Sequence, residues 1–155
     1  MTGIATPRKP IATPRKPSAT RLPMTSEAWR SLVDEVARLR QDVAEAAGRG
    51  LEEGIGNAIL AQLSRRLATL SAALDAAEVV ADDGCAVIGR RATLREADGR
   101  ASTYAIVYPG DGDPTEGWIS ADSPLGVALI GARAGDVVEV GAPAGRWSVS
   151  VERVE

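Results

Sequence analysis

The sequence predicts an α+β chain in which an antiparallel coiled-coil hairpin leads into a small antiparallel β-sheet domain carrying one short helix. Three observations predict it. Apolar residues between Trp29 and Leu74 recur in alternating steps of three and four, the spacing of one helical face. A glycine-rich stretch, Gly48-Arg-Gly-Leu-Glu-Glu-Gly-Ile-Gly56, cuts that pattern in two. From Asp82 onward the apolar period falls to two, and turn residues separate the short runs.

Ahead of the hairpin lies an arm with a perfect duplication, Ile4-Ala-Thr-Pro-Arg-Lys-Pro10 and Ile11-Ala-Thr-Pro-Arg-Lys-Pro17. Proline recurs every third or fourth residue and there is almost nothing to bury, so residues 1–22 are expected to be extended and disordered. Five of the eighteen Lys and Arg residues and none of the twenty-one acids lie in residues 1–23, which leaves thirteen bases against twenty-one acids for the rest. An acidic body is poorly suited to duplex DNA, because affinity for the duplex comes largely from phosphate neutralisation. The arm is the part that suits nucleic acid or an acidic protein surface; it also suits a solubilising tail.

Order is expected from about Pro23, and the hairpin is assigned to residues 23–80. Thr25 or Ser26 is an N-cap candidate, with Glu27 in the first turn. Trp29, Leu32, Val36, Leu39, Val43 and Ala46 form the first seam. Leu60, Leu63, Leu67, Leu70 and Leu74 form the second, with Arg, Ser, Gln and Thr between them. Two matched seams joined by a short breaker read as an antiparallel pair zipped like a coiled coil, standing free of the following domain.

Residues 81–155 are assigned to the β domain. Ala92 to Glu96 and Thr103 to Tyr108 flank Asp98-Gly99, a hairpin signal. Trp147, Val149 and Val151 alternate with polar residues and pair with Val137 to Val140 across Ala142-Pro-Ala-Gly145. One helix interrupts the strands, with Ser123 as N-cap, Pro124 in the first turn, Leu125, Ala128 and Leu129 on one face and Gly131 as its stop.

Composition narrows the chemistry. Hydrophobic residues make up 45% of the chain but aromatics only 3%, with no Phe, so the core is expected to be aliphatic. The chain has no His, which excludes His-based acid/base catalysis, His metal ligation and His-containing triads. The solitary Cys85 is expected as a small buried hydrophobe in a reducing compartment. No apolar run spans a bilayer and no secretion signal is visible, so a cytoplasmic protein without a membrane partner is expected.

The stretch Trp118-Ile-Ser-Ala-Asp-Ser-Pro-Leu-Gly-Val-Ala-Leu-Ile-Gly131, followed by Ala134-Gly-Asp-Val-Val-Glu-Val-Gly-Ala-Pro-Ala-Gly145, resembles the C-terminal signature of the Gre family of transcription elongation factors. Pro23-Met-Thr-Ser-Glu with Leu32, Glu35 and Leu39 resembles the family's opening segment, and Ala77-Glu-Val-Val80 the close of its second helix. The resemblance covers residues 22 to 155 and leaves only the arm outside. It implies a coiled-coil hairpin that enters the secondary channel of bacterial RNA polymerase and an FKBP-like C-terminal domain that grips the channel rim. The rim contact implied is Asp122, Ser123 and Pro124. A monomer without a cofactor of its own is expected, acting as a transcription regulator and not as an enzyme.

At the hairpin tip the sequence departs from the family. Cleavage-competent members carry a Gly-Asp-x-x-Glu-Asn-type motif whose paired carboxylates resemble ligands for a second Mg²⁺ in the polymerase active site. A hard Mg²⁺ wants carboxylate oxygens at a fixed separation, so that it can activate a water. Here Glu52 and Glu53 are adjacent and would point about 100° apart on a helix. Glycines surround them, and Arg49 brings a positive charge to the place a cation would need. Asp42 and Glu45 have the better spacing but lie short of the tip. The hairpin also aligns about 14 residues shorter than in cleavage factors, about one heptad per arm. At about 1.5 Å per residue that leaves the tip roughly 10 Å short. The reading that follows is a channel-binding regulator that does not stimulate cleavage. Two alternatives remain: a cleavage factor using Glu52 and Glu53 with the polymerase's Mg²⁺, or a short-hairpin relative regulating a nucleotide-metabolising enzyme. A prolyl isomerase is disfavoured, because the domain offers only Tyr104, Tyr108, Trp118 and Trp147 where a deep aromatic pocket would be needed.

Overall fold

The computed structural model describes residues 21–49 and 54–155; most of the proline-rich arm, and Glu52 and Glu53, lie outside them. A short strand, β1 (Leu22–Met24), leads into α1 (Ser26–Gly48), which packs along α2 (Ile55–Asp75). Thr25 caps α1: its backbone is extended and its hydroxyl accepts from Ala28 N at 3.1 Å. The helices reach further than the glycines suggest, since Gly48 ends α1 and Gly56 lies inside α2, buried. Gly54, at φ +117°, takes the conformation that only glycine adopts freely and starts the second helix.

The seams are largely as expected, with one rotation at the base. Leu32, Val36 and Leu39 are buried, but Trp29 is 39% exposed and Ala28 takes its place inside. The base is crowded there: a Cβ added to Gly89 would lie 2.8 Å from Ala28 Cβ and 2.6 Å from Thr25 Oγ1, so Ala28 packs directly against the bare backbone of a glycine. Burial then fades along the hairpin. Leu70 and Ala73 are buried, Leu60, Leu63 and Leu67 half-buried, and Ile55 is 81% exposed.

After α2 the chain forms β2 (Ala77–Val79), which pairs parallel with β1. Ala77 to Val80 is therefore no helix end, as its resemblance suggested. Met24 also bridges to Ile88, and Thr25 N donates to Ile88 O at 3.0 Å. The hairpin is not free-standing at its base.

The domain is a five-stranded sheet. β3 (Arg91–Arg95) and β4 (Ala101–Val107) form the expected hairpin, with Gly99 at φ +86° in the turn. β5 (Trp118–Ser120) runs parallel to β4, so one edge departs from an all-antiparallel sheet. α3 (Pro124–Leu129) follows, and then β6 (Val137–Ala142) and β7 (Gly145–Val154) pair antiparallel as expected. The strand order is β5-β4-β3-β7-β6. Leu94, Ile106, Ile119, Val138, Val140, Val149 and Val151 bury one face, and Leu129 of α3 joins them. Trp147 follows the strand alternation but stays 44% exposed. No helix among the described residues is long and apolar enough to cross a membrane.

Candidate functional site

The site begins where β5 runs into α3. Ser123 has an extended backbone and caps α3, its hydroxyl accepting from Gly126 N at 3.1 Å. The same hydroxyl donates to Ser120 O at 2.7 Å, and Ser123 N donates to that carbonyl at 3.0 Å. Pro124 fits the first turn because its missing N–H would have no helical partner there. Both hydroxyl functions of Ser123 are thus spent inside the turn. Asp122 and Pro124 face solvent on either side of it.

The turn is built tightly onto the strand. A Cβ on Gly126 would lie 2.0 Å from Ser120 O, and one on Gly112 would lie 2.9 Å from both Ser120 Cβ and Ser120 N. These two glycines let α3 and the preceding loop close on Ser120, which is itself buried. Its Oγ accepts from Gly110 N at 3.0 Å, sits 3.3 Å from Tyr108 O and donates to Asp122 Oδ1. Sequence reasoning singled out Asp122, Ser123 and Pro124 and missed Ser120. The Ile-Ser pair of the signature was the available signal, but a serine hydroxyl reports no partners until the fold is known.

Between the start of α1 and the β4–β5 edge lies a cavity of about 310 Å³, lined by Thr25, Ala28, Tyr108, Asp111 and Trp118 among others. Tyr108 links two sides of its lining by donating to Ala28 O at 2.6 Å. Burial, with the negative charges of Asp111 and Glu35, pushes the Tyr108 phenol above its ordinary range, so it stays a donor at neutral pH. Arg66 of α2 ties the three parts together, reaching Asp111 at 2.9 Å and Glu35 of α1 at 3.4 Å.

At the far end, Arg49 turns back along α1 to pair with Glu45 at 3.2 Å, and Gln41 holds the other Glu45 oxygen at 3.2 Å. Arg49 is therefore not aimed beyond the helix end, as its place beside the tip suggested. Asp42 is exposed on the helix body. Glu52 and Glu53 lie outside the described residues. Cys85 is half-exposed, not buried: its Sγ lies 3.3 Å from Asp83 Oδ2 and 3.1 Å from Arg133 Nε. Burial and the bond to Asp83 outweigh Arg133 and push the thiol up, which keeps it protonated and unreactive.

Residues 81–155 match the family model described as the transcription elongation factor GreA/GreB C-terminal domain. GreB of Haemophilus ducreyi is 31% identical over 148 residues, covering 84% of this chain and 91% of that protein. Since 84% of 155 residues is about 130, roughly eighteen positions of that alignment hold no residue of this chain. GreA of Listeria monocytogenes is 42% identical over 82 residues, covering 52% of this chain; the match spans 50% of that protein's length. Among solved structures, Gfh1 of Thermus aquaticus is 23% identical with a TM-score of 0.42, over 88% of this chain and 99% of that one.

Proposed function

Because the chain belongs to the GreA/GreB family of transcription elongation factors, we propose that it docks on bacterial RNA polymerase at the secondary channel and regulates transcription without stimulating transcript cleavage. The observation that carries the docking part is the turn at Asp122 and Pro124. Both are exposed, while every hydrogen-bonding group of Ser123 beneath them is engaged. A carboxylate and a proline ring held this way present a fixed shape to a partner, and binding then loses little side-chain entropy.

Reach supports the regulatory part. At about 1.5 Å per residue, the 23 residues of α1 make a rod of about 34 Å, which the family resemblance sets about one heptad short of a cleavage factor. The unfilled positions in the GreB alignment agree with a shortened chain. Metal delivery needs ligands placed within a fraction of an ångström, and a shortfall of roughly 10 Å is not recovered by side-chain motion. The protein thus occupies the channel and leaves the chemistry to the polymerase.

A backtracked elongation complex with labelled RNA and Mg²⁺ tests both parts. Excess protein should give no cleavage above background and should slow a competent cleavage factor by competition. Release of 3′ RNA that disappears in a Glu52→Ala, Glu53→Ala double variant would restore the cleavage reading. A folded Asp122→Arg variant should lose the competition; if it competes as well as the parent, docking does not run through this turn.

A further inference from the structure

We propose that Ser120 is a positioning residue for polymerase docking, its buried hydroxyl holding the Asp122 carboxylate in the orientation the partner meets. The inference rests on the docking reading above. Ser120 is the one buried polar residue among the described residues, and its hydroxyl has three neighbours: Gly110 N at 3.0 Å, Tyr108 O at 3.3 Å and Asp122 Oδ1. A hydroxyl owns one proton and two lone pairs. The Gly110 N–H fills a lone pair, and the proton goes to the ionised carboxylate, the nearer and stronger acceptor of the remaining two. Asp122 is otherwise exposed, and no Lys or Arg pairs with it among the described residues. Without the serine proton its side chain would sample several rotamers.

The surroundings keep that proton on target. Gly112 and Gly126 bring backbone within contact of Ser120 on two sides, so the serine sits in a fitted seat. Its own carbonyl anchors Ser123, so one residue fixes both the helix cap and the carboxylate. Only Oδ1 of Asp122 is engaged, which leaves Oδ2 free to accept from a donor on the partner. The chemistry that suits it is a Lys or Arg side chain or a backbone N–H.

A double-mutant cycle on the full chain tests this, with affinity for core RNA polymerase and Tm both measured. Ser120→Ala should weaken binding on the order of tenfold, the size expected when a charge-assisted bond that pre-organises a contact is lost. Asp122→Ala should weaken it at least as much, and the double variant no further than Asp122→Ala alone. The Tm loss from Ser120→Ala should appear in both backgrounds, because Gly110 N–H loses its acceptor either way. Ser120→Cys, close in size but a poor donor, should fall between parent and Ser120→Ala, and it carries the test if the alanine variant does not fold. Equal weakening by the Ser120 change with and without Asp122, or no weakening at all, would overturn the positioning role while leaving docking at Asp122 intact. An Asp122→Ala variant that binds like the parent would overturn the docking reading and this inference with it.

Discussion

At position 126 two local preferences oppose each other, and distance decides between them. Alanine in a helix interior is favoured over glycine by about 1 kcal/mol. Here, however, the added Cβ would meet Ser120 O at 2.0 Å, a backbone atom that cannot move without breaking the turn. Gly126→Ala should therefore destabilise by about 3 kcal/mol, read from denaturant melting at an unchanged slope. Tyr108 is a milder case. Tyr108→Phe removes one bond to a carbonyl that α1 also uses, and should cost about 1 kcal/mol. The phenol's raised pKa means that the folded chain holds its proton more tightly than the unfolded one. That contribution is complete below the unfolded value of about 10 and is lost as pH rises through the folded value. The parent's Tm should fall on that alkaline limb, and Tyr108→Phe should flatten part of the fall. Ser123 and Pro124 were legible as cap and first turn because capping is local chemistry. Ser120 was not, because its partners at 108 and 110 come from a loop whose path no local pattern encodes.

Among the elements, all three helices and both β-hairpins were legible, since periods of 3.6 and 2, the Ser123-Pro124 cap and the Asp98-Gly99 turn are written in neighbouring residues. β1, β2 and the parallel edge strand β5 were not. Each has three residues, too few to show a period, and each is defined by a partner distant in sequence. Trp29 misled for a related reason: spacing put it on the seam, but the residue turned inward at the base is Ala28, which packs against Gly89, a neighbour distant in sequence. The seam's burial gradient gives a graded prediction. Leu70→Ala, at 1% exposure, should cost about 3 kcal/mol, whereas Leu63→Ala, half-buried nearer the tip, should cost roughly 1 kcal/mol. Equal losses would mean that the outer hairpin is as well packed as its base.

For the whole molecule, charge is divided by sequence position: a basic arm precedes an acidic body. Removing residues 1–20 leaves β1 and everything after it in place, so Tm should be nearly unchanged, while polymerase affinity at low salt should weaken as five bases become one. The two halves meet at one joint, made by Gly89 against Thr25 and Ala28, the Tyr108 bond to Ala28 O, and Arg66 bridging Glu35 and Asp111. That joint sets how the protein exchanges its amide hydrogens with deuterated water. Amides of α1 from Leu32 to Leu39 share their fate with the sheet and should exchange only when the whole chain opens. Those from Val43 to Gly48 and from Ile55 to Leu60 have few buried neighbours and should exchange by local fraying, orders of magnitude sooner. The result is a rod clamped at one end, whose clamped third records global stability and whose outer third records almost none of it.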